Sequence, residues 1–331
     1  MYRLAAAIAA LAATMCASIA LTRAAMAAFS RLGIYGEDVF KPGRPRIPQN
    51  AGLSFTASLA LSTALLSSIG LIGWREAVAS SAAVAIATLV GLIDDLVELP
   101  GYYKPAAALL AGVPIVAIGC YTPYLRIALL GGFNIPLLYP LLAVAAVSVT
   151  SNMVNMLDVI NGSAVWGVMI SAAAGVVSGV VLKSPEAVAV GLCILASLAG
   201  LLLYNTYPAR CFLGNCGSLA LGASIGVLAI VGRIEVPMVI ATMPFIHNSF
   251  YFLAHAKSFI EHKRLGAEVT RLRPDGLIED ARREDAPITL LRTLASAGPI
   301  SEYEALRQLA MIFLAMAAAA VASALLIRVR V

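Results

Sequence analysis

Ten predominantly apolar stretches alternate with polar segments along the chain. They run approximately from Leu4 to Phe29, Leu53 to Gly73, Ala77 to Ile93, Pro105 to Gly119 and Pro136 to Val149, then from Ser163 to Leu182, Ala187 to Leu203, Ser218 to Val231, Val236 to Ala254 and Leu306 to Ile327. A helix crossing the bilayer needs about 20 mostly apolar residues. So many such runs predict an all-α integral membrane protein with about ten transmembrane helices. Residues 1–331 read as a single polytopic membrane domain, with one large loop at about 257–303. The first stretch reaches nearly to Phe29, longer than the apolar region of a signal peptide, and is expected to be a retained span.

Composition supports that reading. Of the 331 residues, 60% are hydrophobic and 12% charged, against roughly 25% charged in soluble domains. The net charge of +5 fits basic loops better than nucleic-acid binding. Cys16, Cys120, Cys193, Cys211 and Cys216 include no Cys-x-x-Cys pair and are read as small core residues rather than a disulfide framework.

The distribution of Lys and Arg sets an orientation. Loops after the odd-numbered spans carry Arg31, Lys41, Arg44, Arg46, Lys104, Arg210 and the basic run from Lys257 to Arg292. The other side has Arg3, Arg75, Arg126, Lys183, Arg233, Arg328 and Arg330. The odd loops are therefore expected in the cytoplasm and both termini outside, in the cell (plasma) membrane. Nearly every polar cluster falls in the odd loops, as an active site facing the cytoplasm requires and a scaffold does not. A transporter would instead bury charges near mid-membrane on broken helices.

Five constellations carry candidate chemistry. In GLIDDLVELPGYYK, the adjacent carboxylates Asp94 and Asp95 end a span, where desolvation and mutual repulsion call for a cation or a basic partner such as Lys104; an ordinary solvated helix end is the plainer alternative. In SNMVNMLDVINGS, Asn152, Asn155, Asp158 and Asn161 recur every three residues, roughly one face of a helix, and their oxygens suit Mg²⁺ or a phosphosugar. In GNCGSLALGASIG, Gly222 and Gly226 read as close-packing residues. Gly214, Asn215, Cys216 and Gly217 read as a turn into a helix N-terminus, a plausible phosphate site. In the last large loop, Arg271 and Arg273 precede a Pro-Asp-Gly turn and offer planar donors to phosphate, whereas Lys263, Arg264, Arg282 and Arg283 read as contacts to lipid headgroups. His255 and His262 could share a helix face. Finally, KPGRPRIPQNAGL is a stiff basic loop suited to anions or to simple connection.

In this order and on these loops, the motifs resemble the polyprenyl-phosphate N-acetylhexosamine-1-phosphate transferases. The stretch from Lys41 looks like that family's first loop, and Asp94-Asp95 with Lys104 looks like its aspartate pair and downstream lysine. Asn155, Asp158 and Asn161-Gly162 look like its NxxNxxDG segment, and GNCGSLALG looks like its GDxGSxxLG segment. The RLRPDG loop is most similar to archaeal members. The resemblance implies transfer of a sugar-1-phosphate, GlcNAc-1-phosphate foremost, from a UDP-sugar to polyprenyl or dolichyl phosphate, with release of UMP. It implies Mg²⁺, or Mn²⁺ in its place. Asp94, Asp95 and Asp158 would be catalytic; Lys104, Asn155, Asn161, Arg271 and Arg273 would bind substrate; Asp158 and Asn215 would hold the metal. Partners are the donor, the lipid acceptor and membrane lipid, with no nucleic acid; a homodimer is left open. Three departures stand out. Asn215 replaces a family aspartate that binds Mg²⁺, Val159 stands where the family has glycine, and the bacterial histidine triplet is missing. The alternative they leave is a catalytically impaired paralogue that binds lipid phosphate or nucleotide sugar without transfer.

Overall fold

The computed structural model describes residues 2–97, 99–128, 130–256, 269–283 and 286–329. The side chain of His255 and the whole of Lys257, His262, Lys263 and Arg264 lie outside the described residues. In chain order the helices are α1 (Tyr2–Arg31), α2 (Leu53–Ser68), α3 (Trp74–Val97), α4 (Tyr103–Ala108), α5 (Val113–Ile118), α6 (Tyr139–Leu157) and α7 (Ser163–Val181). They continue with α8 (Pro185–Ser197), α9 (Ala199–Asn205), α10 (Gly214–Val231), α11 (Glu235–Ala241), α12 (Met243–Ala256), α13 (Leu290–Ser296) and α14 (Glu302–Val329).

Each of the ten apolar stretches is helical, but they differ in reach. Among the described residues seven helices, counting α8 with α9 as one, are long and apolar enough to cross a membrane; α11 with α12 makes an eighth if that bent pair is one span. These define a multi-pass membrane protein. The remaining two stretches, Leu53–Ser68 and Tyr103–Ile118, are shorter. At 1.5 Å per residue, the 16 residues of α2 rise about 24 Å, less than the roughly 30 Å hydrocarbon core. This helix stops early because Gly70 takes φ +72° and the N–H groups of Gly70 and Leu71 turn back to the carbonyls of Ser67 and Leu66, a glycine-terminated helix end. Between α11 and α12 the axis bends by 67°. Pro244, at the second position of α12, has no N–H to continue the helix and crowds the carbonyl four residues back.

The polar loops also contain strands that the apolar pattern does not announce. Three antiparallel hairpins pair β1 (Tyr35–Glu37) with β2 (Arg46–Pro48), β3 (Tyr124–Ile127) with β4 (Gly131–Asn134), and β5 (Thr270–Leu272) with β6 (Ile278–Asp280). The last turns through Pro274, Asp275 and Gly276, the turn expected there; Gly276 has φ +79°.

Helix α10 is the centre of the bundle and is buried from Cys216 to Val231. Its small residues permit this. A methyl group added at Gly222 would fall 2.3 Å from the carbonyl oxygen of Thr150 on α6, and one at Gly52 would fall 2.1 Å from the Cα of Gly217. At the periphery, α1 and α14 leave Leu4, Ile8, Met15, Met311, Leu314 and Leu325 exposed, as helices facing lipid do.

Candidate active site

A cavity of about 870 Å³ opens where α3 and α6 finish and α10 and α14 begin. That volume lies within the range of small-molecule sites. Asp94, Asp95, Lys104, Asn155, Asp158, Asn161 and Asn215 all line it, so the sequence-selected residues of four segments share one volume.

Asp94, in the last turn of α3, is buried and pairs with Lys104 at 2.8 Å. Its other oxygen receives the N–H of Leu99 at 2.9 Å, which closes the turn after the helix. Lys104 also donates to Oδ1 of Asn215 at 3.0 Å. The Asn155 amide donates to the same Oδ1 at 2.8 Å and to Oγ of Ser218 at 2.7 Å.

Asp95 points to the start of α10. Its two oxygens accept the N–H groups of Asn215 at 3.0 Å and Cys216 at 3.1 Å. The helix N-terminus read from sequence as a phosphate site is thus already capped by a carboxylate from another helix, the favourable charge for that position. Gly214, at φ +70°, lets the chain turn sharply there.

Asp158 differs from both. Helix α6 ends at Leu157, so Asp158 and Asn161 do not continue the helical face of Asn152 and Asn155, as three-residue spacing suggested. They follow in an irregular turn closed by Gly162 at φ +83°, and the turn still directs all four to the cavity. Among the described residues the Asp158 carboxylate has no hydrogen-bond or ion-pair partner. Removal from bulk water, with the Asp95 charge adding to it, pushes its pKa up to about 7.

A second polar network closes the cavity and involves residues that sequence reasoning did not single out. Asn161, buried, donates its side-chain amide to Asp38 at 2.9 Å and its backbone N–H to Glu302 at 2.8 Å. Lys41 pairs with Glu302, lies 3.8 Å from Asp38 and sits 4.0 Å above the Tyr207 ring. The available signal for Glu302 was a carboxylate opening a long apolar helix, which reads more simply as a favourable first-turn charge.

Arg271 and Arg273 are elsewhere. On the β5–β6 hairpin they pair with Glu279 at 2.5 Å and Asp275 at 2.9 Å, both partly exposed, and neither lines the cavity.

The residues fit a divalent cation in part. Among the described residues no three His, Cys, Asp or Glu side chains converge as a ligand cluster. The unpartnered Asp158 carboxylate suits a hard cation. The Asn215 oxygen does not, since two donors already occupy it.

Residues 77–233, from α3 to just beyond α10, match the model of glycosyl transferase family 4. It is 28% identical over 214 residues to a Saccharolobus solfataricus protein provisionally named UDP-N-acetylglucosamine–dolichyl-phosphate N-acetylglucosaminephosphotransferase. That match covers 64% of this chain and 66% of the relative, just under two thirds of its length. A phospho-N-acetylmuramoyl-pentapeptide-transferase of Moorella thermoacetica is 33% identical over 136 residues, 41% of this chain and 42% of its own. Another, of Latilactobacillus sakei, is 26% identical over 235 residues, 66% and 72%. The family indicated by the ordered motifs is the family found. Asp94 through Asn215 lie inside the matched region, while Lys41, Arg271, Arg273 and Glu302 lie outside it.

Proposed function

We propose that the protein transfers a sugar-1-phosphate, most simply GlcNAc-1-phosphate, from a UDP-sugar to polyprenyl or dolichyl phosphate at the cytoplasmic face of the plasma membrane. This would begin assembly of a lipid-linked glycan. The carrying observation is the single cavity at one end of the helical bundle, into which the Asp94–Lys104 pair, Asn155, Asp158 and Asn215 converge from separate segments. A lipid acceptor reaches such a site from the bilayer and a nucleotide donor from water.

In the reaction, an oxygen of the acceptor phosphate attacks the phosphorus that bears the sugar. The bond from that phosphorus to the bridging oxygen breaks, and its electron pair leaves with UMP. Lys104 is, among the described residues, the basic residue in the cavity wall and would offset negative charge on the diphosphate. Asp94, held by Lys104, would orient the acceptor phosphate and take its proton if it arrives protonated. Asn155 would steady the donor. A divalent cation, Mg²⁺ or Mn²⁺, held at Asp158 would add Lewis-acid neutralisation of the diphosphate.

The test is to incubate the purified full chain with UDP-[¹⁴C]GlcNAc, a polyprenyl phosphate and MgCl₂. UMP release matched by label in the organic phase is expected. No transfer with either polyprenyl or dolichyl phosphate, using UDP-GlcNAc or another UDP-sugar, would overturn the proposal.

A further inference from the structure

The side chain at position 215 sits where Lys104 and Asn155 meet, and both present only donors: an ammonium and an amide NH₂. Both converge on one oxygen, at 3.0 and 2.8 Å. An acceptor must face two donors, which fixes the orientation of the Asn215 amide. Its oxygen is therefore turned into the protein network. Its NH₂ group has no partner among the described residues and is not among the buried unpartnered polar atoms, on a residue that lines the cavity.

The charges around it make this arrangement consequential. Among the described residues, Glu37, Asp38, Asp94, Asp95, Asp158 and Glu302 line the cavity, with Lys104 as the basic residue of its wall and Lys41 pairing with Asp38 and Glu302. An aspartate at 215 would be a further negative charge in that wall. The backbone N–H of residue 215 already binds Asp95, so a carboxylate there would stand beside another one. Asparagine keeps the acceptor that Lys104 and Asn155 require, omits the charge and supplies a donor.

We infer that Asn215 is an anion-binding residue, not a cation ligand: its amide NH₂ donates to a phosphate oxygen of a bound diphosphate while its oxygen stays with Lys104 and Asn155. The identity of that diphosphate as a nucleotide sugar rests on the function proposed above; the role of the amide does not.

Two probes test the assignment on the purified full chain without turnover. The first is Mn²⁺ alone, titrated by electron paramagnetic resonance. Asn215→Ala should leave the Mn²⁺ affinity within about two-fold of the unsubstituted chain, whereas Asp158→Asn should lower it roughly ten-fold or more, since only the latter removes an available carboxylate. The second probe is inorganic pyrophosphate in EDTA, followed by calorimetry. Loss of one donor to a charged oxygen should weaken binding roughly ten-fold in Asn215→Ala. Asn215→Asp keeps both internal acceptor contacts and the shape of the side chain, and it should weaken binding further. Added Mg²⁺ should recover pyrophosphate binding more in Asn215→Asp than in the unsubstituted chain.

Loss of Mn²⁺ binding in Asn215→Ala equal to that in Asp158→Asn would overturn the assignment. So would equal pyrophosphate affinities across the series, or no pyrophosphate binding by the unsubstituted chain. If the expected binding pattern appears but no sugar phosphate is transferred, the transferase proposal fails and the role of Asn215 stands.

Discussion

Removing the Asp95 carboxylate tests how the site is held together. In Asp95→Ala the N–H groups of Asn215 and Cys216 lose their acceptor, and the start of α10 loses a neighbouring negative charge. A hydrogen bond to a charged group is worth about 1.5–3 kcal/mol, so two amount to roughly 3–6, with about 0.3–1 more from the helix dipole. Water entering from the cavity can replace part of that, and removing a largely buried carboxylate relieves its own desolvation, which places the expected loss below that bound, about 1–3 kcal/mol. Asp95→Asn keeps one acceptor oxygen and should lose about half as much. Thermal unfolding in detergent, followed with a thiol-reactive dye, reads the release of the buried cysteines, Cys216 of this turn among them. The order expected is Asp95→Ala least stable, Asp95→Asn intermediate and Asp158→Ala no less stable than the unsubstituted chain, since Asp158 has no bond to lose. Equal destabilisation by Asp95→Ala and Asp158→Ala would refute the argument that Asp95 is the carboxylate that anchors α10.

Asp158 gives a pH prediction. Its pKa is raised from 3.8 to about 7, so folding favours the protonated form: the penalty is absent below pH 3.8, grows between 3.8 and 7, and is complete above 7. Asp158→Asn should therefore melt above the unsubstituted chain at pH 8 in EDTA, with the gap narrowing as pH falls through that window; an unchanged gap between pH 5 and 8 would exclude this. Glu302→Ala strands the Asn161 N–H and leaves Lys41 with Asp38 and the Tyr207 ring, and should cost about 1–3 kcal/mol, while Glu302→Gln should cost less; denaturation midpoints compare them. Gly91→Ala would place a methyl group 2.3 Å from the Asn215 carbonyl oxygen, and overpacking against backbone should lower stability by at least about 1–3 kcal/mol, seen as reduced recovery of monodisperse protein. Arg271→Ala and Arg273→Ala break exposed ion pairs and should change stability by less than about 1 kcal/mol, measured in the same melts; a larger loss would show that the hairpin bears on the core.

The sequence was most legible where composition alone decides. Continuous apolar runs marked every membrane helix, and the isolated pairs Asp94-Asp95 and Asn215-Cys216 stood out because charge and turn residues are rare beside such runs. What it could not convey was partnership. Asp94 and Asp95 are adjacent and chemically identical, yet one faces Lys104 and the other α10, a distinction created by the 100° step between successive helix positions. Helix lengths were overread at α2 because a single glycine conformation ends it. The β5–β6 hairpin shows the opposite limit: its Pro-Asp-Gly turn was visible, but where its arginines lie depends on docking through Ile278 and Ile300, which no local pattern encodes. Glu302 was missed because its partners are 141 and 261 residues away in the chain.

That separation bears on how the protein is made. Glu302 stands at the threshold of α14, so a ribosome that has delivered the whole of α1 through α12 has not yet delivered the carboxylate that Lys41 and Asn161 contact. The nascent chain carries the aspartates, Lys104 and Asn215 into the membrane early, but the cavity wall stays open until α14 is threaded. A product stalled before α14 therefore holds the aspartates, Lys104 and Asn215 without the Glu302 contacts that close the cavity wall.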